Sequence, residues 1–152
     1  MKKALVALSF LLVSATMFAQ TAASVTPPKT QKKAEDYVKF KEAEHNFGKI
    51  KQGTPVTYDF QFNNISNQPV VIEYASASCG CTTHTWPMAA IGKSKADKIT
   101  AGFNAAAPGP FNKTITVKLA GIEMPTTLTI KGEVLSAEDF AKYESSKKSG
   151  SK

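Results

Sequence analysis

The sequence contains no arginine: all nineteen basic residues are lysine. The chain nevertheless carries a formal net charge of +7. Proteins that read nucleic acids depend heavily on arginine, whose guanidinium group forms paired hydrogen bonds with bases and phosphates. The positive charge therefore gives little support for a nucleic-acid partner. Much of it lies near the two ends of the chain, which is typical of solubilising segments.

Long apolar stretches are also absent, except at the start of the chain. Lys2 and Lys3 precede an apolar stretch, residues 4–15, and small residues follow as far as Ala19. This layout predicts a secretory signal peptide, residues 1–19, cleaved after Ala19. An uncleaved membrane anchor is the alternative, but the stretch is shorter than the roughly 20 residues that a spanning helix needs. We therefore expect an exported chain without a transmembrane segment once mature, in the periplasm or at the cell surface.

Alternating apolar and polar residues dominate the rest of the chain. Residues 20–36 are polar and contain two consecutive prolines, which predicts a flexible linker. Over residues 37–135, about seven short alternating stretches joined by Gly, Pro and Asn turns predict an all-β fold, an antiparallel β-sandwich. For residues 136–152 we predict a short helix, capped by Ser136 and ending near Ser145, followed by a disordered Lys/Ser tail.

The alternation also predicts the buried face of each strand. The predicted inward residues are Val56, Tyr58, Phe60, Phe62, Ile99, Ala101, Phe103, Phe111, Ile115, Val117, Leu119, Leu128, Ile130 and Val134. Lys113 falls in the inward register, so we place it at the edge or mouth of the sandwich. Gly48 is predicted to end the first strand, and residues 64–69 are predicted to form a polar turn.

Cysteine is scarce: Cys79 and Cys81 are the only two, separated by Gly80. We predict that they lie in a loop, residues 76–90, that crosses one end of the sandwich. In an exported protein, nearby thiols tend to be oxidised or bound to metal. One interpretation is structural: a Cys79–Cys81 disulfide stabilises the loop while Trp86 packs over the rim of the core. A second is redox activity, because a disulfide in so small a ring departs from relaxed geometry and is more easily reduced.

A third interpretation of the same loop is a metal site. Cys79, Cys81, His84 and Met88 are soft or borderline ligands that suit copper(I) or zinc. The spacing does not match the usual closed zinc site, in which paired cysteines are separated by two to four residues. No nucleophile elbow, phosphate-binding loop or metalloprotease helix is present, so hydrolytic and phosphoryl-transfer enzymes are poorly supported.

Several short motifs together resemble a known family. In chain order they are residues 46–50 (NFGKI), 60–64 (FQFNN), 78–82 (SCGCT), 111–115 (FNKTI) and 130–134 (IKGEV). They resemble the bacterial domain-of-unknown-function 1573 family over roughly Val38 to Leu135. The resemblance implies an immunoglobulin-like sandwich, like domains of cilia- and centrosome-associated proteins, and it implies no established activity. The chain departs from the family pattern after the loop, where Ala90-Ile91-Gly92-Lys93 lacks the usual proline.

The sequence thus leads to two hypotheses of function. The first is an exported, non-enzymatic binding or structural module of the bacterial envelope that recognises a protein or an envelope component and needs no cofactor. The second is a redox-active or copper- or zinc-binding periplasmic protein that acts through the Cys-Gly-Cys loop.

Overall fold

The computed structural model describes residues 31–80 and 82–149, without the side chain of Thr83. The predicted signal peptide, cleavage site and most of the linker lie outside these residues. Packed structure is present before the predicted domain boundary at Tyr37, because a one-turn 3-10 helix, Ala34–Asp36, buries Ala34 completely. Within the described range, no helix is both long and apolar enough to span a membrane.

Over the part of the chain that the structure describes, there are eight strands and one α-helix. They are β1 (Val38–Phe40), β2 (Glu44–Lys51), β3 (Val56–Asn64), β4 (Ile72–Ala77), β5 (Thr82–Thr85), β6 (Ala96–Phe103), β7 (Gly109–Leu119), β8 (Thr126–Leu135) and α1 (Ala137–Ser149). The strands form two four-stranded sheets, ordered β1-β3-β6-β5 and β2-β8-β7-β4. This confirms the predicted all-β sandwich with a C-terminal helix. The helix extends four residues past its predicted end near Ser145.

The core consists of the inward faces of the two sheets. Every predicted inward residue is buried except Val56 and Tyr58, which are partly buried and pack against the same core. Phe60, Ile99, Ile115, Leu128 and Ile130 have no exposed surface. Period-two alternation therefore identified the buried faces correctly, because each sheet has one face against the core and one in solvent.

The prediction of a purely antiparallel sandwich is wrong at one position. β2 pairs with β8 in parallel, whereas the other neighbouring strands are antiparallel. The cause lies in the first segment of the chain. β1 pairs with β3 in one sheet, the chain then crosses at residues 41–43, and β2 joins the edge of the other sheet.

The prediction that Gly48 ends a strand is wrong. Gly48 lies inside β2, at an irregularity in its pairing with β8. The register shifts between Asn46 and Lys49, and Gly48 has a φ of 67°, which favours glycine. Asn46 Oδ1 accepts a hydrogen bond from Gly48 N–H at 2.8 Å. The irregularity brings the carbonyl oxygen of Gly48 over Gly132 of β8, where only a glycine fits.

Asp59, on the outer face of β3, is expected to contribute to the acid sensitivity of the fold. Its carboxylate accepts hydrogen bonds from Lys98 Nζ and Thr100 Oγ1, both at 2.6 Å. The Lys98 bond, followed by the Thr100 bond, lowers the pKa of Asp59 below its ordinary value of 3.8. Because the pKa is lower in the folded state, the stabilisation is present above the unfolded value and is lost as pH falls through the folded value.

Asp59→Asn should therefore show a smaller loss of stability between pH 7 and pH 3 than the parent protein. The measurement is the urea midpoint at several pH values across this range. Lys98→Met removes the main cause of the shift and should reduce the same loss in part. An unchanged pH dependence in Asp59→Asn would contradict the assignment.

Candidate functional site

The Cys-Gly-Cys segment links the two sheets at one side of the sandwich. β4 is an edge strand of one sheet and β5 is an edge strand of the other, and residues 78–81 connect them. Ser78 anchors this connection: its N–H donates to Thr114 O at 2.9 Å, and its Oγ accepts from Thr114 N–H at 3.2 Å. Thr82 N–H donates to Cys79 O at 3.2 Å, which closes a turn at Gly80.

The prediction that residues 76–90 form a loop is wrong in part. β4 extends to Ala77, and Thr82–Thr85 form β5, paired with β6. Alternation along β5 turns Thr82 and His84 inward, and Trp86 packs against the core just beyond the strand. The available signal was a β-branched run, Thr82-Thr83, continued by Thr85, with a period of two through Trp86. The signal is weak because the inward residues of β5 are polar.

His84 ties the two sheets together. Its Nε2 lies 2.8 Å from Ala75 O in β4, and since a carbonyl oxygen only accepts, Nε2 carries the hydrogen. The imidazole stacks on the Trp86 ring, with centroids 5.5 Å apart and planes 12° apart. One side chain of β5 thus bonds to the backbone of the facing sheet.

The carbonyl that His84 binds belongs to the open edge of β4. Opposite residues of β4 and β7 alternate between hydrogen-bonded and non-hydrogen-bonded pairs. Ser78 N–H bonds to Thr114, so the pair two residues earlier in β4, Ser76 with Thr116, is also a hydrogen-bonded one. Ala75, opposite Val117, therefore directs its N–H and C=O away from β7. An exposed edge of this kind invites pairing with another chain. His84 occupies one acceptor of that edge.

Two buried polar atoms of this site have no hydrogen-bond partner among the described residues: His84 Nδ1 and Trp86 Nε1. In the neutral imidazole with the hydrogen on Nε2, Nδ1 carries a lone pair and can only accept, whereas the indole N–H of Trp86 can only donate. A ring nitrogen that donates to a backbone carbonyl while the other stays free is also the usual arrangement of a metal-binding histidine. The site therefore contains one complete tie between the sheets and one unused acceptor.

Of the four predicted metal ligands, the structure describes Cys79, His84 and Met88. Met88 is 79% exposed, whereas the ring nitrogens of His84 face inward. Over residues 31–80 and 82–149, no group of three His, Cys, Asp or Glu side chains is arranged to hold a metal ion. Cys81 lies outside the described residues, so a site that includes it stays a prediction.

Cys79 is not a free thiol. Its Sγ lies 3.5 Å from Thr82 Oγ1, and without a thiol hydrogen the sulfur is the acceptor. Because Cys81 is not described, the Cys79–Cys81 pairing also stays a prediction. Thr82 is 5% exposed, and its hydroxyl group faces the Cys79 sulfur. The turn therefore packs against β5.

Comparison with solved structures shows the fold. The chain is similar to a PapD-like domain of human CEP192, with a TM-score of 0.57 and 11% identity, covering 88% of this chain and 99% of that one. It is also similar to a protein of unknown function from Porphyromonas gingivalis W83, with a TM-score of 0.55 and 10% identity. That match covers 64% of this chain but only 46% of the Porphyromonas protein.

A third similar structure is the VesB protease of Vibrio cholerae, with a TM-score of 0.53 and 12% identity, covering 66% of this chain and 33% of that one. At these identities the likeness concerns the sandwich alone. The search of curated proteins gave no match. The model of the family described as "Protein of unknown function (DUF1573)" matches residues 38–134, nearly the whole sandwich, and the chain therefore belongs to this family.

Proposed function

We propose that this protein is an exported, non-enzymatic immunoglobulin-like module of the bacterial envelope that binds a protein or an envelope component. The observation that carries the proposal is the use of the polar groups at the Cys-Gly-Cys segment. His84 Nε2 bonds to the backbone of the facing sheet, Thr82 faces the Cys79 sulfur, and Trp86 packs on the core. These contacts stabilise the connection between the sheets, which is a structural role. Domains of this architecture commonly present their surfaces to partners while the scaffold stays rigid.

Export is supported by the sequence pattern of residues 1–19. An oxidising compartment also agrees with the absence of a free thiol at Cys79. We do not propose nucleic acid as the partner, because a chain without arginine lacks the side chain best suited to read bases. A periplasmic or cell-surface protein, or another component of the envelope, is the partner class that this location supplies.

The competing function is redox chemistry or binding of copper or zinc through the cysteines and His84. The lack of a hydrogen-bond partner for the buried His84 Nδ1 is the observation that favours it, since a metal-binding histidine keeps one ring nitrogen for the ion. The two functions differ in what the cysteines do. A structural pair contributes only stability, whereas a redox or metal site loses its activity when the sulfurs are removed.

Replacing both Cys79 and Cys81 with serine is expected to leave the protein folded, with a loss of at most about 2 kcal/mol, because so short a loop gains little entropy from closure. The measurement is thermal unfolding by circular dichroism. The matched control is the parent protein treated with a thiol reductant, which should show the same change. A variant that does not fold would give the cysteines a larger role than this proposal allows.

Native mass spectrometry of the protein purified from its export compartment, without chelator or reductant, tests the proposal directly. We expect the mass of a chain that begins at Gln20, lower than the reduced value by about two daltons because two thiol hydrogens are lost. We also expect no bound metal. A stoichiometric copper or zinc ion that the double serine variant loses would instead make the metal function the leading one. A chain that retains residues 1–19 would contradict cleavage after Ala19.

A further inference from the structure

Lys113 occupies an unusual position in the sandwich. Its partner in the β7–β8 register is Ile130, which has no exposed surface, and its neighbours on the same face, Phe111 and Ile115, are also buried. The alternation of the strand therefore turns a lysine towards the core side, where it is half-buried. Among the described residues, its ammonium group makes no hydrogen bond or ion pair. A cation in such surroundings gains from an anionic partner.

A cavity of about 250 Å³ lies beside this lysine at one end of the sandwich. One wall is formed by residues 104 and 106–110, which belong to the β6–β7 connection and the start of β7, and the other side consists of Phe103, Phe111 and Lys113. The two phenylalanine rings stack with centroids 4.1 Å apart and planes 16° apart, one from each sheet. Alanine, proline and phenylalanine dominate the lining, and none of the described lining residues is acidic.

The wall of the cavity is held in place by the neighbouring connection between β2 and β3. Gly53 N–H donates to Ala105 O at 2.8 Å, and Gln52 Nε2 donates to Ala106 O at 3.1 Å. Ala105 is completely buried and has a φ of 50°, a conformation that costs a residue with a Cβ atom and persists only when its surroundings impose it. The cavity is thus a pre-formed feature of the fold.

We propose that this cavity binds a small carboxylate with a compact apolar body, with the carboxylate on Lys113 and the body against Phe103 and Phe111. The apolar lining selects an apolar ligand, and the unpaired ammonium selects a negative charge at one end. A phosphate group fits less well, because its several oxygens need more donors than one lysine provides. This site makes no use of Cys79 or His84, so it stands independently of the proposed function.

The test compares hexanoate with hexan-1-ol, which has the same apolar chain without the charge, by titration of the ¹⁵N-labelled full exported chain followed by NMR. Hexanoate should shift the amide signals of residues 103–113, and hexan-1-ol should bind roughly tenfold more weakly, as expected for loss of a charge-assisted hydrogen bond. Equal binding of the two probes, or hexanoate shifts scattered among the other lysines, would overturn the proposal.

Variants of the lysine separate a ligand site from a lysine that only extends its ammonium group to solvent. Lys113→Met keeps the apolar stem and should weaken hexanoate binding roughly tenfold. Lys113→Arg keeps the positive charge and should retain most of the affinity for hexanoate. Lys51→Met, at the exposed end of β2, removes the same charge elsewhere and should change nothing. Undiminished hexanoate binding by Lys113→Met would refute the site. If that variant fails to fold, the comparison of the two probes on the parent protein decides.

Discussion

Replacing Gly132 with alanine should lower the free energy of unfolding by about 3 kcal/mol, at the upper end for an overpacked core position. A Cβ atom at Gly132 would lie 2.8 Å from the carbonyl oxygen of Gly48 and 2.8 Å from both Cε1 and Cζ of Phe111. Such contacts are shorter than van der Waals packing allows, so one of the neighbours would have to move.

Neither neighbour of Gly132 can move freely. Gly48 lies in the irregular part of β2, whose backbone is held by the hydrogen bond to Asn46 Oδ1. Phe111 is buried and stacked on Phe103 of the other sheet. The added methyl group therefore forces either the β2–β8 pairing or the stack of Phe111 on Phe103 apart.

Urea unfolding followed by circular dichroism measures this loss. Gly92→Ala is the matched control, because its added Cβ would have only an ordinary contact, 3.5 Å from Lys95 Cγ. We expect the control to change stability by less than about 0.5 kcal/mol. A Gly132→Ala protein as stable as the control would show that β2 packs less closely on β8 than the structure indicates.

The second large effect is expected at Asn64, whose replacement by alanine should cost about 2–4 kcal/mol, since it leaves several buried polar groups without partners. The residue is 1% exposed, at the end of β3. Its Nδ2 donates to Gln68 O at 2.8 Å and to Ile91 O at 2.9 Å. The Oδ1 atom of Asn64 accepts two hydrogen bonds from Ser66, one from its N–H at 2.9 Å and one from its Oγ–H at 2.8 Å. One amide thus joins the β3–β4 connection to the β5–β6 connection.

Asn63→Ala provides the neighbouring control, because Asn63 is exposed and should tolerate the change within about 0.5 kcal/mol. Asn64→Asp is a stricter test of the hydrogen bonds. It preserves the shape but places an oxygen where the amide nitrogen faces two carbonyl oxygens, so it should destabilise at least as strongly as alanine. Near-native urea midpoints for both Asn64 variants would show that the amide is not needed to hold the two connections.

Much of the fold could be predicted because burial on one face of a strand has a local pattern. Phe60 and Phe62, or Ile115 and Val117, are two residues apart and buried, and the polar residues between them face outward. The same rule failed for β5, since its inward residues Thr82 and His84 are polar and form their contacts across the sandwich rather than with an apolar core. Asn64 was assigned to a turn for a similar reason: its burial depends on Ile91, which is far away in the sequence.

At the candidate site, the sequence identified the segment but not its arrangement. The structure places Cys79 in the connection before β5, His84 in that edge strand and Trp86 directly after it. Met88, the fourth predicted metal ligand, is 79% exposed, and its role stays a prediction. The bond from His84 to Ala75 could not be predicted, because it requires β4 and β5 to lie at facing edges of different sheets.

The sequence by itself determined most of the strands, their buried faces and the family, because these follow from short-range alternation and from motifs that can be read directly. Only the tertiary structure decided that β2 pairs in parallel with β8, that residues 82–85 form an edge strand, and that Lys113 faces a cavity without an ionic partner. Those features depend on which distant strands become neighbours, and a hydrogen bond or a cavity between distant segments leaves no periodic trace in either one.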